Sequence, residues 1–323
     1  MEIKYLIGKD SCPLTRRLTV KPKKPVASLN IQSVFLREAV RECYEFFESF
    51  FDSLNAEPLI KNKKEIYKNL ADEIMISIKR GEKLNLFQYG GIPKRDFVSL
   101  WCLFKYLKPS QYTESGVFIG SSFFACIEAS PETKILGIDP NLKPFRIPKS
   151  KIGNATLTDK FDFEESSSFI GNNGTSLAYF DCHINSAKRI IQAASKGYDF
   201  IIFDDSLGLE GTTGKKYPAF PTIPFILHSK ELEENDYIEW SYDSSRRINT
   251  LKEIVKSIFF KFSFSAYQQI SGVFSNSLIG LCKEANSKIE KCSKLPQLGD
   301  YILPNNYYQG SDSSKFIIKL KKE

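Results

Sequence analysis

The amino-acid sequence predicts an α/β fold with a mostly parallel sheet, preceded by a layer of helices. From residue 113 onward, short apolar runs alternate with helical stretches, which is the pattern of consecutive βαβ units. Before residue 108, apolar residues recur instead at three- and four-residue spacing, which is typical of amphipathic helices. The chain has 323 residues, of which 42% are hydrophobic, so it can bury the core of one large domain or two smaller ones.

The individual elements follow in order along the chain. Residues 1–30 combine three prolines with a basic cluster and predict an irregular arm. Helices are predicted over 34–54, 66–78, 95–107, 121–129 and 185–196, and strands over 115–119, 134–138, 154–157, 176–180 and 199–203. The Gly- and Pro-containing stretch 206–224 predicts a functional loop. Beyond it, an antiparallel edge pair is predicted at 236–240 and 277–282, with a helix over 250–260 between them.

These elements divide the chain into three predicted parts. Residues 1–108 form an N-terminal arm and helical extension, residues 109–285 form the domain that carries the site, and residues 286–323 form a C-terminal appendage. The apolar stripe of the N-terminal helices predicts either core packing or the interface of a homodimer.

Charge, cysteine content and apolar runs limit the possible partners and location. Forty-five Lys and Arg residues against 38 Asp and Glu residues leave a net charge of +7, concentrated at both ends. No basic run is interleaved with aromatic residues, so nucleic acid is the weaker alternative as a partner. Seven cysteines without a CxxC pair are typical of a reducing compartment. No apolar run approaches the ~20 residues of a membrane span, and residues 1–10 lack the apolar core of a secretory signal, so we predict a cytoplasmic product.

A glycine-containing segment forms the first candidate site, at the turn from a predicted strand into a helix. It reads Glu114-Ser115-Gly116-Val117-Phe118-Ile119-Gly120-Ser121-Ser122. Its Gly-x-x-x-Gly spacing differs from the GxGxxG of dinucleotide sites, which argues against an NAD-linked dehydrogenase. Asp139 ends the next predicted strand, where a carboxylate can accept the hydroxyls of a ribose. Alternatively, the glycines make only a tight turn and Asp139 caps the following segment.

This combination of a glycine segment and an acid resembles the S-adenosylmethionine site of class I methyltransferases. The resemblance implies a doubly wound, mostly parallel, seven-stranded Rossmann-like sheet and S-adenosylmethionine as the cofactor. It also implies an adenine contact from Asp162, or with less support Asp159, near the end of the third strand. The cofactor-binding residues implied in this way are Glu114, Gly116, Phe118, Gly120, Ser122, Asp139, Asp162 and Asp181.

Acidic residues after two consecutive strands form the second candidate site. Asp181-Cys182-His183 follows the fourth predicted strand and Asp204-Asp205 follows the fifth. The carboxyl ends of parallel strands meet at one edge of a sheet, so these side chains are expected to converge beside the first site. Carboxylate oxygens of this kind suit Mg²⁺ or another divalent cation. For Asp204 and Asp205 the alternative is helix capping or a turn.

The acids resemble those of metal-dependent O-methyltransferases that modify sugars, including the macrocin O-methyltransferase and cephalosporin-hydroxylase-like groups. The resemblance covers about residues 95–207 and implies that Asp181, Asp204 and Asp205 bind the metal. The Asp-Gly-x-His form of those groups is replaced here by Asp181-Cys182-His183, so the sequence departs from their spacing at His183.

The predicted function is therefore S-adenosylmethionine-dependent, divalent-metal-assisted O-methylation of a sugar, another vicinal-diol small molecule or a glycan. His183 is the first candidate for the catalytic base because of its position, and His228 is the second. Lys215, Lys216 and Tyr217 are candidates for holding the acceptor, unless they are simply solvated loop residues. The alternative is a non-catalytic nucleotide- or nucleic-acid-binding module on the same fold, which would have no reason to gather three aspartates.

Overall fold

A computed structural model describes residues 5–6, 29–51, 63–88, 91–166, 174–182, 184–204, 221–232, 239–247, 265–273, 276–298 and 315–322. Its helices are α1 (Leu29–Phe50), α2 (Lys63–Lys83), α3 (Lys94–Leu107), α4 (Ser121–Ala129), α5 (Ser186–Ser195), α6 (Ile223–His228) and α7 (Asn276–Ser287). Its strands are β1 (Tyr5–Leu6), β2 (Gln111–Ser115), β3 (Lys134–Ile138), β4 (Ala155–Thr158), β5 (Ser176–Phe180), β6 (Phe200–Phe203), β7 (Glu239–Arg247), β8 (Ser265–Val273), β9 (Ile289–Lys294) and β10 (Phe316–Leu320).

Seven strands form one central sheet in the order β4-β3-β2-β5-β6-β10-β9. The five strands from β4 to β6 are parallel, and β10 runs antiparallel to both of its neighbours. From β2 the chain builds β3 and β4 on one side and then returns to build β5 and β6 on the other. This reversal creates a topological switch point between β2 and β5, where open α/β sheets bind their ligands. The predicted doubly wound, mostly parallel, seven-stranded sheet is confirmed.

Each face of the sheet packs against its own hydrophobic core. One core joins helices α1 to α4 to the side chains of Tyr112, Leu177 and Ile202. The other joins α5, α6 and α7 to Ala178, Ile201 and their neighbours on the opposite face. Helices on both faces are the requirement for a parallel sheet, because its strands are apolar on both sides. The predicted N-terminal helical layer is therefore part of the domain core.

Within the parallel part of the sheet, the largest difference between a predicted and an observed element is at the first strand of the domain. The strand was expected over 115–119, because Val117, Phe118 and Ile119 form an apolar run, whereas β2 is Gln111–Ser115. All five residues of β2 are buried despite their polarity. Several of their polar side chains find partners inside the fold, as in the 2.6 Å hydrogen bond between the Thr113 and Tyr198 hydroxyls. Because such partners are remote in the sequence, a prediction based on local apolar runs misplaces the strand.

The C-terminal segment is part of the sheet. Strands β9 and β10 come from residues 286–323, and β10 pairs with β6 and β9. The predicted domain boundary at residue 285 therefore does not coincide with the end of the sheet. The strand expected over 277–282 is wrong, since these residues belong to α7, whose Ile279 and Cys282 pack into the second core. The helix expected over 250–260 lies outside the described residues.

A second, three-stranded sheet has the order β1-β7-β8. Its strands β7 and β8 form a nine-residue antiparallel pair, which replaces the edge pair expected at 236–240 and 277–282. Of the helices that the structure describes, none combines the length and the apolar character needed to cross a bilayer.

Candidate functional site

Four strand ends lie side by side at the carboxyl edge of the central sheet. The backbone N–H of Asp181, just after β5, donates to the Ser115 carbonyl at the end of β2, at 2.9 Å. The N–H of Asp204, just after β6, donates to the Phe180 carbonyl at 3.0 Å. Lys315 precedes Phe316, which pairs with Phe203, so Lys315 lies beside Asp204. The structure thus brings Gly116, Asp181 and Asp204 to one edge at the switch point, as predicted.

Gly116 is required at this edge because of a close approach between two backbones. Its φ is +95°, and a Cβ there would lie 2.5 Å from the carbonyl carbon of Asp181 and 2.8 Å from the backbone nitrogen of Cys182. The space beside Gly116 therefore belongs to the segment after β5. The lack of a side chain at Gly116 lets the ends of β2 and β5 pack together. The cofactor contact predicted for Gly116 stays a prediction.

The loop after β2 is braced by Asp139. The backbone N–H of Phe118 donates to one carboxylate oxygen of Asp139 and the N–H of Asn141 donates to the other, both at 2.8 Å. Phe118 itself has a φ of +44°, an unusual conformation for a bulky residue, and its side chain is 43% exposed. Strained backbone of this kind clusters at ligand sites. Each oxygen of Asp139 keeps further acceptor capacity, so capping the loop and holding a ribose are compatible roles.

Glu114 lies beneath this loop with no exposed surface. Ser122 donates a hydrogen bond to its Oε1 at 2.5 Å, and the Tyr112 hydroxyl donates to its Oε2 at 2.7 Å. Burial raises the pKa of the Glu114 carboxyl to about 8, although both hydrogen bonds act in the opposite direction. The hydrogen bond from Ser122 to Glu114 connects the start of α4 to β2. The cofactor contacts predicted for Glu114 and Ser122 stay predictions.

Asp162 is engaged by a buried arginine. Its Oδ1 lies 2.7 Å from Nη2 of Arg189, whose side chain is 1% exposed and lies over the rings of Phe163 and Phe180. Partial burial of Asp162 works in the other direction, but the Arg189 guanidinium lowers the pKa of the carboxyl below its usual value. The adenine contact predicted for Asp162 stays a prediction, and in the described structure its carboxylate compensates the charge of Arg189.

We expect Asp162→Ala to lower the free energy of unfolding by about 2 kcal/mol, because it leaves the buried guanidinium without this charged hydrogen bond. Urea unfolding monitored by circular dichroism measures the change. Asp159→Ala is the matched control, since Asp159 is an exposed acid in the same segment, and it should change stability by less than about 0.5 kcal/mol. Equal losses in the two variants would contradict the structural role of Asp162.

Asp204 is held between a lysine and a tyrosine. Nζ of Lys315 lies 2.6 Å from its Oδ1, and the Tyr179 hydroxyl donates to its Oδ2 at 2.8 Å. Lys315 also contacts Oδ2 of Asp96, in the first turn of α3, at 2.8 Å. Burial by itself would lower the pKa of Lys315, but the carboxylates of Asp204 and Asp96 raise it above its usual value. The lysine is therefore a permanent cation.

These contacts do not fit a divalent metal ion at Asp204. A magnesium ion would lie about 2.1 Å from a ligating oxygen, directly beside the ammonium that already contacts Oδ1 at 2.6 Å. Within the described residues there is no cluster of three or more His, Cys, Asp or Glu side chains that could hold a metal. Asp205, the third predicted ligand, lies outside the described part of the chain.

The two predicted bases have different outcomes. His183 lies outside the described residues, as do Lys215, Lys216 and Tyr217. His228 ends α6 with a side chain that is 64% exposed and 3.5 Å from Glu231. The preceding carbonyls of α6 accept hydrogen bonds from Asn286, at the end of α7.

The position of Asn286 locates His228 relative to the sheet. Strand β9 follows α7, and its Ile289 pairs with Leu320, whose N–H donates to the Asp199 carbonyl before β6. The end of α7 therefore lies at the amino edge of the sheet. His228 thus lies toward the amino edge of the sheet, on the side away from Asp181 and Asp204, and its role as a base stays a prediction.

Three residues of the site are not indicated by the sequence: Asp96, Tyr179 and Lys315. Asp96 and Lys315 lie 219 residues apart in the chain, so no local pattern joins them. The apolar run Phe316 to Ile318 is the available signal, because it indicates a buried strand. An added antiparallel strand in an α/β sheet begins at the carboxyl edge, and this would have placed Lys315 there.

The strand order with a reversed β10, together with the glycine loop at the switch point, defines a doubly wound, Rossmann-like α/β fold. No family model matches the chain, and neither does any curated protein.

Solved structures do match, 217 chains in all. CmcI with SAH (S-adenosylhomocysteine) has 21% sequence identity and a TM-score of 0.28 over 33% of this chain and 59% of that chain. The O-methyltransferase from Bacillus cereus in complex with SAH has 10% identity and a TM-score of 0.39 over 86% and 96%. SAH-bound PaMTH1 from Podospora anserina has 10% identity and a TM-score of 0.33 over 88% and 96%. The alignments span 59% and 56% of two CmcI chains, less than two thirds of either. These likenesses assign no activity to the chain.

Proposed function

We propose that the protein is an S-adenosylmethionine-dependent methyltransferase that acts on an oxygen atom. The observation that carries the proposal is the strained loop at the switch point, which presents the exposed residue Phe118, is held by Asp139 and is followed by α4. This is where an open α/β sheet binds a nucleotide-like ligand. Asp139 would hold the ribose of the cofactor, and the exposed ring of Phe118 offers an apolar surface beside it.

Methyl transfer to an oxygen requires that the acceptor oxygen be oriented toward the methyl group and that its proton be removed. When bound, S-adenosylmethionine supplies a methyl group on a positively charged sulfur, which is already electrophilic. The chain must therefore align an acceptor oxygen and take its proton. Asp181 is half-buried just after β5, next to the loop, and would orient the acceptor in this proposal. His183 stays the predicted base.

The chemical class of the acceptor and the use of a metal ion are more specific parts of the proposal. A sugar, another vicinal diol or a glycan is the acceptor class that the sequence resemblance supports. Divalent-metal assistance through Asp181, Asp204 and Asp205 stays a prediction. No step of the reaction is built on it here, because the ammonium of Lys315 already compensates Asp204.

Calorimetric titration of the full chain with SAH tests the cofactor assignment. We expect binding in the wild type and a loss of at least about tenfold in affinity in Asp139→Ala, which corresponds to about 1.4 kcal/mol. Glu132→Ala is the matched control, because Glu132 is an exposed acid at the other end of β3. It should bind like the wild type.

Two further measurements separate the possible results of this titration. The melting temperature of each variant shows whether a loss of affinity comes from unfolding, since Asp139 also accepts two backbone N–H groups. A parallel titration with NADH tests the dehydrogenase alternative. Absence of SAH binding in a folded wild-type protein would end the proposal.

A further inference from the structure

Four charged side chains lie in contact at the carboxyl edge of the sheet, where a metal was predicted. Nζ of Lys315 lies 2.8 Å from Asp96 and 2.6 Å from Asp204. Nε of Arg95 lies 3.4 Å from the other oxygen of Asp96. None of the four side chains is more than 11% exposed. Two positive and two negative charges thus compensate each other within this buried cluster.

We propose that the ammonium of Lys315 is the resident cation of this edge and takes the place of a divalent metal ion between Asp204 and Asp96. It contacts two carboxylates from different elements, as a bridging metal would. The Tyr179 hydroxyl takes the remaining oxygen of Asp204. The carboxylates are then oriented and compensated by groups of the chain itself.

The location of Lys315 favours the role of a resident cation over that of a salt bridge at the periphery of the fold. It lies 4% exposed in the row of strand ends that includes Asp204, and its partner Asp96 belongs to the helical layer. A divalent ion at this point would have to displace a buried ammonium that contacts two carboxylates, at 2.6 and 2.8 Å. Removal of the ammonium would leave the buried carboxylates of Asp204 and Asp96 facing the same point, which is an arrangement that suits hard divalent cations.

A manganese titration distinguishes this role from a purely structural one. Lys315→Met removes the charge and keeps the length of the side chain. We expect this variant to melt at a lower temperature than the wild type, and millimolar MnCl₂ to raise its melting temperature by about 3 °C or more. The metal-stripped wild type should show no such response to MnCl₂ or EDTA.

Lys319→Met is the matched control. Lys319 lies in β10, the strand that Lys315 precedes, and pairs with Glu290 at 2.6 Å, with a side chain that is 27% exposed. The Lys319→Met variant loses the same charge, and its melting temperature should not change with MnCl₂. A structural salt bridge alone would lower the stability of Lys315→Met without creating a response to manganese.

Two results would overturn the proposal. One is a folded Lys315→Met that is indifferent to MnCl₂. The other is a wild type that binds one manganese ion per chain, with binding lost in Asp204→Asn. If Lys315→Met does not fold, manganese binding is measured instead in the wild type and in Lys315→Arg. Both keep a cation at this position, so neither should bind manganese. The titration needs no cofactor, so a failure to bind SAH would remove the proposed function and leave this result standing.

Discussion

Replacing Gly116 with alanine is expected to lower the free energy of unfolding by about 3 kcal/mol or more. Two effects combine. A φ of +95° is unfavourable for any residue with a side chain, and the new Cβ would meet the backbone of Asp181 and Cys182 at 2.5 to 2.8 Å. Backbone cannot move aside as a flexible side chain can, so the ends of β2 and β5 would have to separate. Urea unfolding of the purified variant measures the loss.

Two other glycines separate these effects. Gly153 has a φ of +56° and no atom within 4 Å of its Cβ position, so Gly153→Ala carries only the conformational cost of about 1 kcal/mol. Gly280 lies in α7 with open space around it, so Gly280→Ala should stabilise the protein by about 0.5 to 1 kcal/mol. If Gly116→Ala were no more damaging than Gly153→Ala, the contact between the two strand ends would be refuted.

The elements that the sequence predicts well are those whose pattern is local. Helix α4 and strands β3 and β5 have the predicted bounds, because each is a short run whose apolar spacing depends on neighbours in the chain. Strand β2 is displaced by four residues, because its burial depends on polar partners such as Tyr198. Strands that obey the apolar pattern are thus predictable, and a central strand that carries buried polar groups is not.

The same distinction applies to the site. The strand ends that carry Gly116, Asp181 and Asp204 follow from the βαβ alternation, since parallel strands bring their carboxyl ends together. The contacts of those residues do not follow from it. Asp204 meets Lys315, 111 residues away, and Asp162 meets Arg189, 27 residues away. Acids that look available in the sequence are therefore already compensated in the fold.

Buried polar groups form a continuous layer under the glycine loop. Glu114 pairs in register with Tyr179 across β2 and β5, and Tyr179 donates to Asp204. Because buried polar groups without partners are costly, each member depends on the others. The layer therefore couples the stability of the loop to the protonation state of Glu114.

That coupling predicts a specific dependence of stability on pH. Burial raises the pKa of Glu114 to about 8 in the folded protein, from an ordinary value of 4.5. Between these values the folded state binds more protons than the unfolded state, so the free energy of unfolding falls as pH rises. The contribution is complete below about pH 4.5 and is lost above about pH 8. A shift of this size corresponds to about 5 kcal/mol, a large part of the stability of a typical domain.

Glu114→Gln should remove this dependence, because the amide keeps the shape and the hydrogen-bonding capacity of the protonated acid but does not ionise. The urea midpoint of the wild type is expected to fall between pH 5 and pH 9, and that of Glu114→Gln to fall much less. Glu132→Gln, which changes an exposed acid, should follow the wild type. A variant with the slope of the wild type would show that Glu114 is ionised in the fold, and that Ser122 and Tyr112 stabilise a buried carboxylate rather than an acid.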